Sequence, residues 1–394
     1  MNLDNAKKEL YLCTKFFLDN FSRKEESYGL VADIFPSVHN SASIAGTGYL
    51  FSSLVIASEF NYMEKSEAEK IAIKALNSIS NLETSHGWYY HFYDLDTGKK
   101  TEWLELSNID SSILFLGILT CGNYFGGEAL KIAKTIFNRA DHNYFLQKFG
   151  YMLSMAVNRN GEFIGHWDVY AEQLMLYVLG CASENEKFRL DKQIYYNFKR
   201  DIKSYKDKTF ICSWYGALFT HQFSHAYIDF RNKVDEQGVD WFKNSVIASE
   251  AAYEYALDSE GRFKSLNRFS WGLTACMSKN GYCGLYGSPP SGIDQITNDG
   301  TVAPCAAIGS IVFTPKESLD ALNYFYSIEK LVGEYGLYDA YNADQDFYSD
   351  KYISIDKGIE MVMLANYFKG TIWHYFNSLD IIQESFNRLG IKEV

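Results

Sequence analysis

Carboxylates and imidazoles interrupt two stretches that otherwise read as core helix. One is Trp167-Asp168-Val169-Tyr170-Ala171-Glu172, which runs straight into Gln173-Leu174-Met175-Leu176-Tyr177-Val178-Leu179. The other is His221-Gln222-Phe223-Ser224-His225-Ala226-Tyr227-Ile228-Asp229-Phe230-Arg231. Helix residues four apart share a face, so the spacing predicts that Asp168 and Glu172 project together, as do His221 and His225. Burying such groups costs stability unless they are paired or used. Glu172 has no Lys or Arg near it in sequence. A buried Glu without a basic neighbour keeps its proton to higher pH, which suits a general acid. The plainer alternative for Trp167-Asp168 is a helix cap beside a packing ring.

His221 and His225 also have the spacing of the zinc-binding H-E-x-x-H helix. Gln222 stands where that motif carries its general-base Glu, and no third ligand is evident, so neither a metal nor another cofactor is expected. Hydrogen bonding to a polyhydroxylated ligand, or an internal network with Asp229 and Arg231, fits these residues better. The segment Glu102-Trp103-Leu104-Glu105-Leu106-Ser107-Asn108-Ile109-Asp110 leads into an apolar helix. Asp110 taken alone reads as an acid facing a helix dipole. Trp271-Gly272-Leu273-Thr274 and Asn298-Asp299-Gly300-Thr301-Val302-Ala303-Pro304 flank a glycine-rich loop, Gly281 to Gly292, that has no phosphate-cradling pattern. Asp339, in Tyr338-Asp339-Ala340-Tyr341-Asn342, is a loop carboxylate between rings whose simplest role is an Asx turn. No G-x-S-x-G is present, which weighs against a serine hydrolase. Paired carboxylates among aromatic rings are what glycoside cleavage needs: one protonated carboxyl at the leaving oxygen, and a second that attacks the sugar or activates water.

Composition narrows the partners. Aromatic residues make up 16% of the 394, with 30 Tyr and 28 Phe, more than a core needs and suited to the apolar faces of sugars. The net charge of −12 disfavours nucleic acid, whose binding depends on Lys and Arg. No apolar run reaches the ~18 residues of a membrane span, and the polar start lacks a secretory apolar region. Seven cysteines without a C-x-x-C are read as reduced thiols. A soluble, cytoplasmic protein with a saccharide partner is expected.

Apolar spacing of three and four recurs from end to end. Helices are predicted near 3–22, 46–60, 64–80, 109–122, 128–141, 145–155, 170–182, 189–204, 217–228, 236–257, 271–278, 316–334, 356–368 and 371–389. Trp88 to Tyr93, followed by Asp94-Leu95-Asp96-Thr97-Gly98, reads as a short hairpin. No linker divides the chain, so residues 1–394 are expected to form one domain. About a dozen helices without a visible 30–50-residue repeat disfavour a solenoid. The predicted class is all-α, an (α/α)6 toroid of helix pairs with a loop-built cleft at one end.

Several segments together carry a resemblance. They are Ser43-Ile44-Ala45-Gly46-Thr47-Gly48-Tyr49, Tyr90 to Gly98, Glu105 to Asp110, Trp167 to Glu172, His221 to Arg231, Trp271 to Thr274 and Asp299 to Pro304. In this order they resemble the glycoamylase-like family of (α/α)6 barrels, which includes bacterial endo-β-1,2-glucanases and the cyclisation domain of cyclic β-1,2-glucan synthases. The resemblance implies a glycoside hydrolase acting on β-1,2-linked glucan or glucooligosaccharides; inversion is expected because no obvious second Glu lies close to Glu172. Glu172 corresponds to the general acid, whose proton can pass through a substrate hydroxyl. Asp110 and Asp339 are the candidates for the base, and Glu105 is the nucleophile should the enzyme retain configuration. Trp103, Trp167, Asp168, Tyr170, His221, His225, Asp229, Trp271 and Asp299 are expected to line glucose subsites. The family often carries Asp-Gln-Gly where this chain has Asp356-Lys357-Gly358. The rivals are a transglycosylase making cyclic or rearranged glucans and a non-catalytic glycan-binding barrel. A lyase would need basic residues to neutralise a uronate, and the acidic balance disfavours it.

Overall fold

Helices with two kinds of burial alternate along the chain in the computed structural model, which describes residues 3–37, 39–102, 105–147 and 150–394. One kind is buried on every side. It comprises α2 (Ile44–Glu59), α4 (Asn108–Phe125), α6 (Leu174–Ala182), α8 (Phe223–Tyr227), α10 (Pro304–Gly309) and α12 (Ser354–Lys369), all almost wholly buried. The other kind buries one stripe: α1 (Asp4–Asn20), α3 (Lys65–Ser80), α5 (Gly127–Phe137), α9 (Trp241–Asp258), α11 (Pro315–Phe325) and α14 (Asp380–Leu389). Short helices α7 (Gln193–Tyr196) and α13 (Thr371–Asn377) complete the set. A helix hydrophobic all round belongs in an interior, and one with a single apolar stripe belongs outside it. The packing follows: α2 lies against α4 and α12, α10 against α12, α1 against α12 and α6 against α14. One continuous apolar core runs from Ala6 to Ile391.

Two glycines allow the tightest of these contacts. A Cβ on Gly48 of α2 would lie 2.6 Å from the carbonyl oxygen of Ile113. One on Gly117 of α4 would lie 2.1 Å from the carbonyl oxygen of Gly48. The backbones of α2 and α4 therefore touch, which only residues without a side chain permit.

The loops are less plainly irregular than an all-α reading expects. They contain short strands, including the sheet Val31–Ala32, Ser41–Ser43, Phe92–Asp94 and the sheet Phe163–Ile164, Ala156–Val157, Leu106–Ser107. In the second sheet Ala156 pairs with Ser107 and Val157 with Leu106, and this fixes the entry into α4. The predicted helices at 145–155 and 271–278 are replaced by pieces of hairpin, Leu146–Gln147 with Met152–Leu153 and Cys276–Ser278 with Gly281–Cys283. The one predicted at 189–204 shortens to α7 and gives way to the hairpin Ile202–Tyr205 with Lys208–Ile211, turned by Lys206 at φ +50°. Among the described residues no helix is long and apolar enough to cross a membrane.

Candidate active site

Four of the buried helices begin at one cavity. It is lined by Ile109, Asp110 and Ile113 from α4, Glu172 ahead of α6, Phe219 and Phe223 at α8, and Ile355 and Asp356 from α12, with Ala275 and Tyr282 on its rim. Its volume is about 120 Å³. A second, larger cavity of about 500 Å³ is lined by Asp33, Ser37, His39, Phe92 and Glu102. Helix N-termini carry positive partial charge, so carboxylates gather there at least cost.

Asp110 is fixed from two sides. Ser107 caps α4, and its hydroxyl donates to Asp110 Oδ2 at 2.5 Å. His91 Nε2 lies 3.6 Å from Asp110 Oδ1, and His91 Nδ1 lies 3.9 Å from Glu105 Oε2. Burial opposes a charge on His91, but Asp110, Glu105 and Asp33 around it push the imidazole up to about 9. The return effect of His91 lowers Glu105. Burial raises Asp33 to about 6 against the pull of His91. His91 thus sits among three acids that favour its charge, one of which, Asp33, lines the larger cavity and another, Asp110, the smaller.

Glu172 has no such cation. Burial, with a smaller push from Asp110, raises its carboxyl to about 7. It is not on a helix, as the periodicity predicts, because α6 starts only at Leu174. Gln173 is the reason: its side-chain oxygen accepts from Ala171 N at 2.6 Å and its amide donates to Val169 O at 2.7 Å. These bonds hold residues 169–173 in a loop, a local competition with helix formation. Ser224 ties that loop to α8 by donating to Glu172 O at 2.6 Å.

Asp356 faces the same cavity from α12, and its carboxyl pairs with Asp339 behind it. Burial first, then Asp339, holds Asp356 well above the usual carboxylate range. Burial raises Asp339 as well, while Asp339 Oδ2 accepts from Met277 N at 2.7 Å. A charge on Asp339 opposes a second charge on Asp356, so the two titrate together.

Beyond this pair lies a second buried group. Lys357 donates to Glu9 Oε1 at 2.5 Å and to Glu360 Oε2 at 2.6 Å, with Cys13 Sγ 3.4 Å from each carboxylate. Glu9, Cys13 and Glu360 have a spacing that could hold a metal ion, but the Lys357 ammonium already satisfies both carboxylates.

The structure brings together only some of the residues singled out by sequence. Glu172 and Asp110 share the cavity; Asp339 stands behind it, and Glu105 lies against the nitrogen of His91 that is turned from Asp110 and does not line it. Trp167 and Asp168 line a neighbouring cavity. Tyr170 is buried against Trp241, and Trp271 is buried with its indole N–H on Glu317 O. His221 and His225 are enclosed in the core, where burial pushes both to about 3 and keeps them neutral. His225 meets Ser245 Oγ at 3.0 Å and packs on Phe230 and Phe313. Asp229 closes a two-bond pair with Arg231. Asp299 braces the rim by accepting from Tyr286 and Gln345. Trp103 lies outside the described residues. Asp33, His91 and Asp356, which the structure sets around the candidate site, are not singled out as site candidates by sequence reasoning. His91 sits in one of the segments quoted for the resemblance, but only the fold shows which acids surround it.

A family model named Glycoamylase, described as "Putative glucoamylase", matches residues 165–380. The chain belongs to this family. It is 23% identical to an exo β-1,2-glucooligosaccharide sophorohydrolase (non-reducing end) of Parabacteroides distasonis, over 93% of this chain and 55% of that protein. The chain thus spans about half the length of that curated relative. Among solved structures, an endo-β-1,2-glucanase of Chitinophaga pinensis in complex with sophorotriose and glucose is similar, with a TM-score of 0.88. Its identity is 21%, over 100% of this chain and 99% of that one. A Bacteroides uniformis protein with the same description as the family has a TM-score of 0.90 at 22% identity, over 99% of this chain and 97% of that one.

Proposed function

We propose that the protein is a glycoside hydrolase that cleaves β-1,2-linked glucan or glucooligosaccharides with inversion of configuration, on an (α/α)6 toroid formed by the alternating helices. The observation that carries the proposal is a carboxyl held protonated near neutral pH, Glu172, in one cavity with a second acid that has its own donors, Asp110. Glycoside hydrolysis requires this division of labour between two carboxyl groups. The Parabacteroides relative and the Chitinophaga structure, by their names, supply the linkage.

Glu172 donates its proton to the leaving oxygen, directly or through a substrate hydroxyl. Asp110, oriented by Ser107 and His91, takes the proton of the attacking water, which adds to the anomeric carbon as the bond to the leaving oxygen breaks. Asp356, which lines the cavity and is coupled to Asp339 behind it, is the second candidate acceptor. Glu105 is not among the residues lining the cavity and lies against His91, which favours inversion over a Glu105 nucleophile.

The test is a linkage screen with β-1,2-, β-1,3-, β-1,4- and α-1,4-glucans, with products identified and the first-formed anomer read by proton NMR. The expected result is release from the β-1,2 polymer alone, with the α-anomer formed first. Larger or cyclic products would show transglycosylation, and binding without reducing-end release would show a non-catalytic barrel.

A further inference from the structure

Immediately across the 167–172 loop from the carboxylates lies a cavity of about 250 Å³ lined by Met155, His166, Trp167, Asp168, Ala171 and Trp214. Two links tie it to the cleft. Ala171 lines this cavity and the next residue, Glu172, lines the other. The Trp167 indole N–H donates to Asn108 Oδ1 at 3.3 Å, at the start of the helix that carries Asp110. The two indoles differ in their surroundings: Trp167 is buried, whereas Trp214 is 38% exposed. The Trp214 backbone is pinned, with its N–H on Tyr170 O at 3.0 Å and its carbonyl accepting from Ile293 N. Tyr215, 4.4 Å away between ring centres, supports the indole from one side. A large ring fixed this firmly and left open to water, beside one carboxylate, has the composition of a ligand site: apolar surface with a few polar groups to orient what binds.

We propose that this cavity is a saccharide-binding subsite, in which Trp214 stacks on a glucosyl unit of the same chain whose linkage lies at Glu172. The inference rests on the glucanase proposal above and adds to it a residue that discriminates by chain length. The unit offers C–H groups to the indole and hydroxyls to Asp168. Occupation of both cavities requires a substrate that passes over the 167–172 loop, so longer chains gain a contact that the shortest ones cannot make.

Calorimetric titration of the Glu172→Gln protein with β-1,2-glucooligosaccharides of increasing length tests the idea, because that variant binds without consuming its ligand. Affinity is expected to rise with length, and adding Trp214→Ala to remove about tenfold of it on the longer members. Trp214→Phe, which keeps a ring, is expected to restore most of the loss and to guard against a folding defect in the alanine variant. Equal affinity of Glu172→Gln with and without Trp214→Ala for the long oligosaccharides would overturn the subsite. If Glu172→Gln bound no β-1,2-linked oligosaccharide while binding another glucan, the linkage assignment itself would fall, and the subsite with it.

Discussion

Two groups of buried acids share helix α12, and they differ in how their charge is met. Glu360, on one side, is joined with Glu9 to the Lys357 ammonium. Asp356, one turn before it, forms no ion pair among the described residues and is coupled instead to Asp339, which feels Lys357 only through its field. The first group is sealed in the core and fully bonded, an arrangement that fixes α1 against α12. The second opens on a cavity through Asp356. Burial acts on both groups: Glu360 is lifted to about 8 despite Lys357, and Asp356 well above the usual carboxylate range, while Glu172 in the same cavity as Asp356 is lifted to about 7. A buried acid with a fixed cation serves the fold, and one without serves chemistry or costs stability for nothing.

The largest expected effect breaks the chemical side. Glu172→Gln should lower kcat by about 10²–10⁴-fold in reducing-end release from β-1,2-glucan. The same change should raise the melting temperature above neutral pH. The folded-state value of about 7 lies above the ordinary Glu value of 4.5, so stability falls as pH rises between the two and the penalty is complete above 7. The amide escapes that penalty, and the gain over the parent should be present at pH 8 and absent at pH 4.

The structural side breaks at Lys357. Lys357→Met leaves Glu9 and Glu360 buried without a cation and should cost about 3–5 kcal/mol, read as a shift of the denaturation midpoint. Adding Glu9→Gln should recover part of it. A pH–rate profile sharpens the contrast: kcat should fall about tenfold per pH unit above ~7 as Glu172 loses its proton. A rate flat from pH 6 to 9 would remove Glu172 as the acid. The base is identified by adding azide to Asp110→Asn and Asp356→Asn, with turnover expected to recover in Asp110→Asn. The smallest effect belongs to His91→Gln, about 1–2 kcal/mol in thermal melts. His91 is raised from 6.5 to about 9, so its contribution is fully present below pH 6.5 and disappears as pH passes 9. The gap between variant and parent should close over that window.

Much of the helical body was legible in sequence, because long apolar periods leave few alternatives. α3 was predicted to within one residue at 64–80, and α4 and α12 nearly as well. Side-chain competition with the backbone was not legible: the period through Tyr170 reads as helix, and the bonds of Gln173 hold that stretch open. The site was half legible for a related reason. Glu172 and Asp110 stand out as polar residues before apolar helices, so local pattern finds them. His221 and His225 stand out equally, yet their rings are packed inside the core. Asp33, His91 and Asp356 come from distant segments, and only the fold makes them neighbours of Asp110 and Glu172.

The backbone contact at Gly48 and Gly117 has a bearing on evolution. With no methyl group between α2 and α4, these two rods are already at their minimum separation, and any substitution there can only wedge them apart. The mouth at the start of α4 would then widen without a single change among the residues that line it. Selection on the shape of the cavity would therefore be felt at two positions that do not line it.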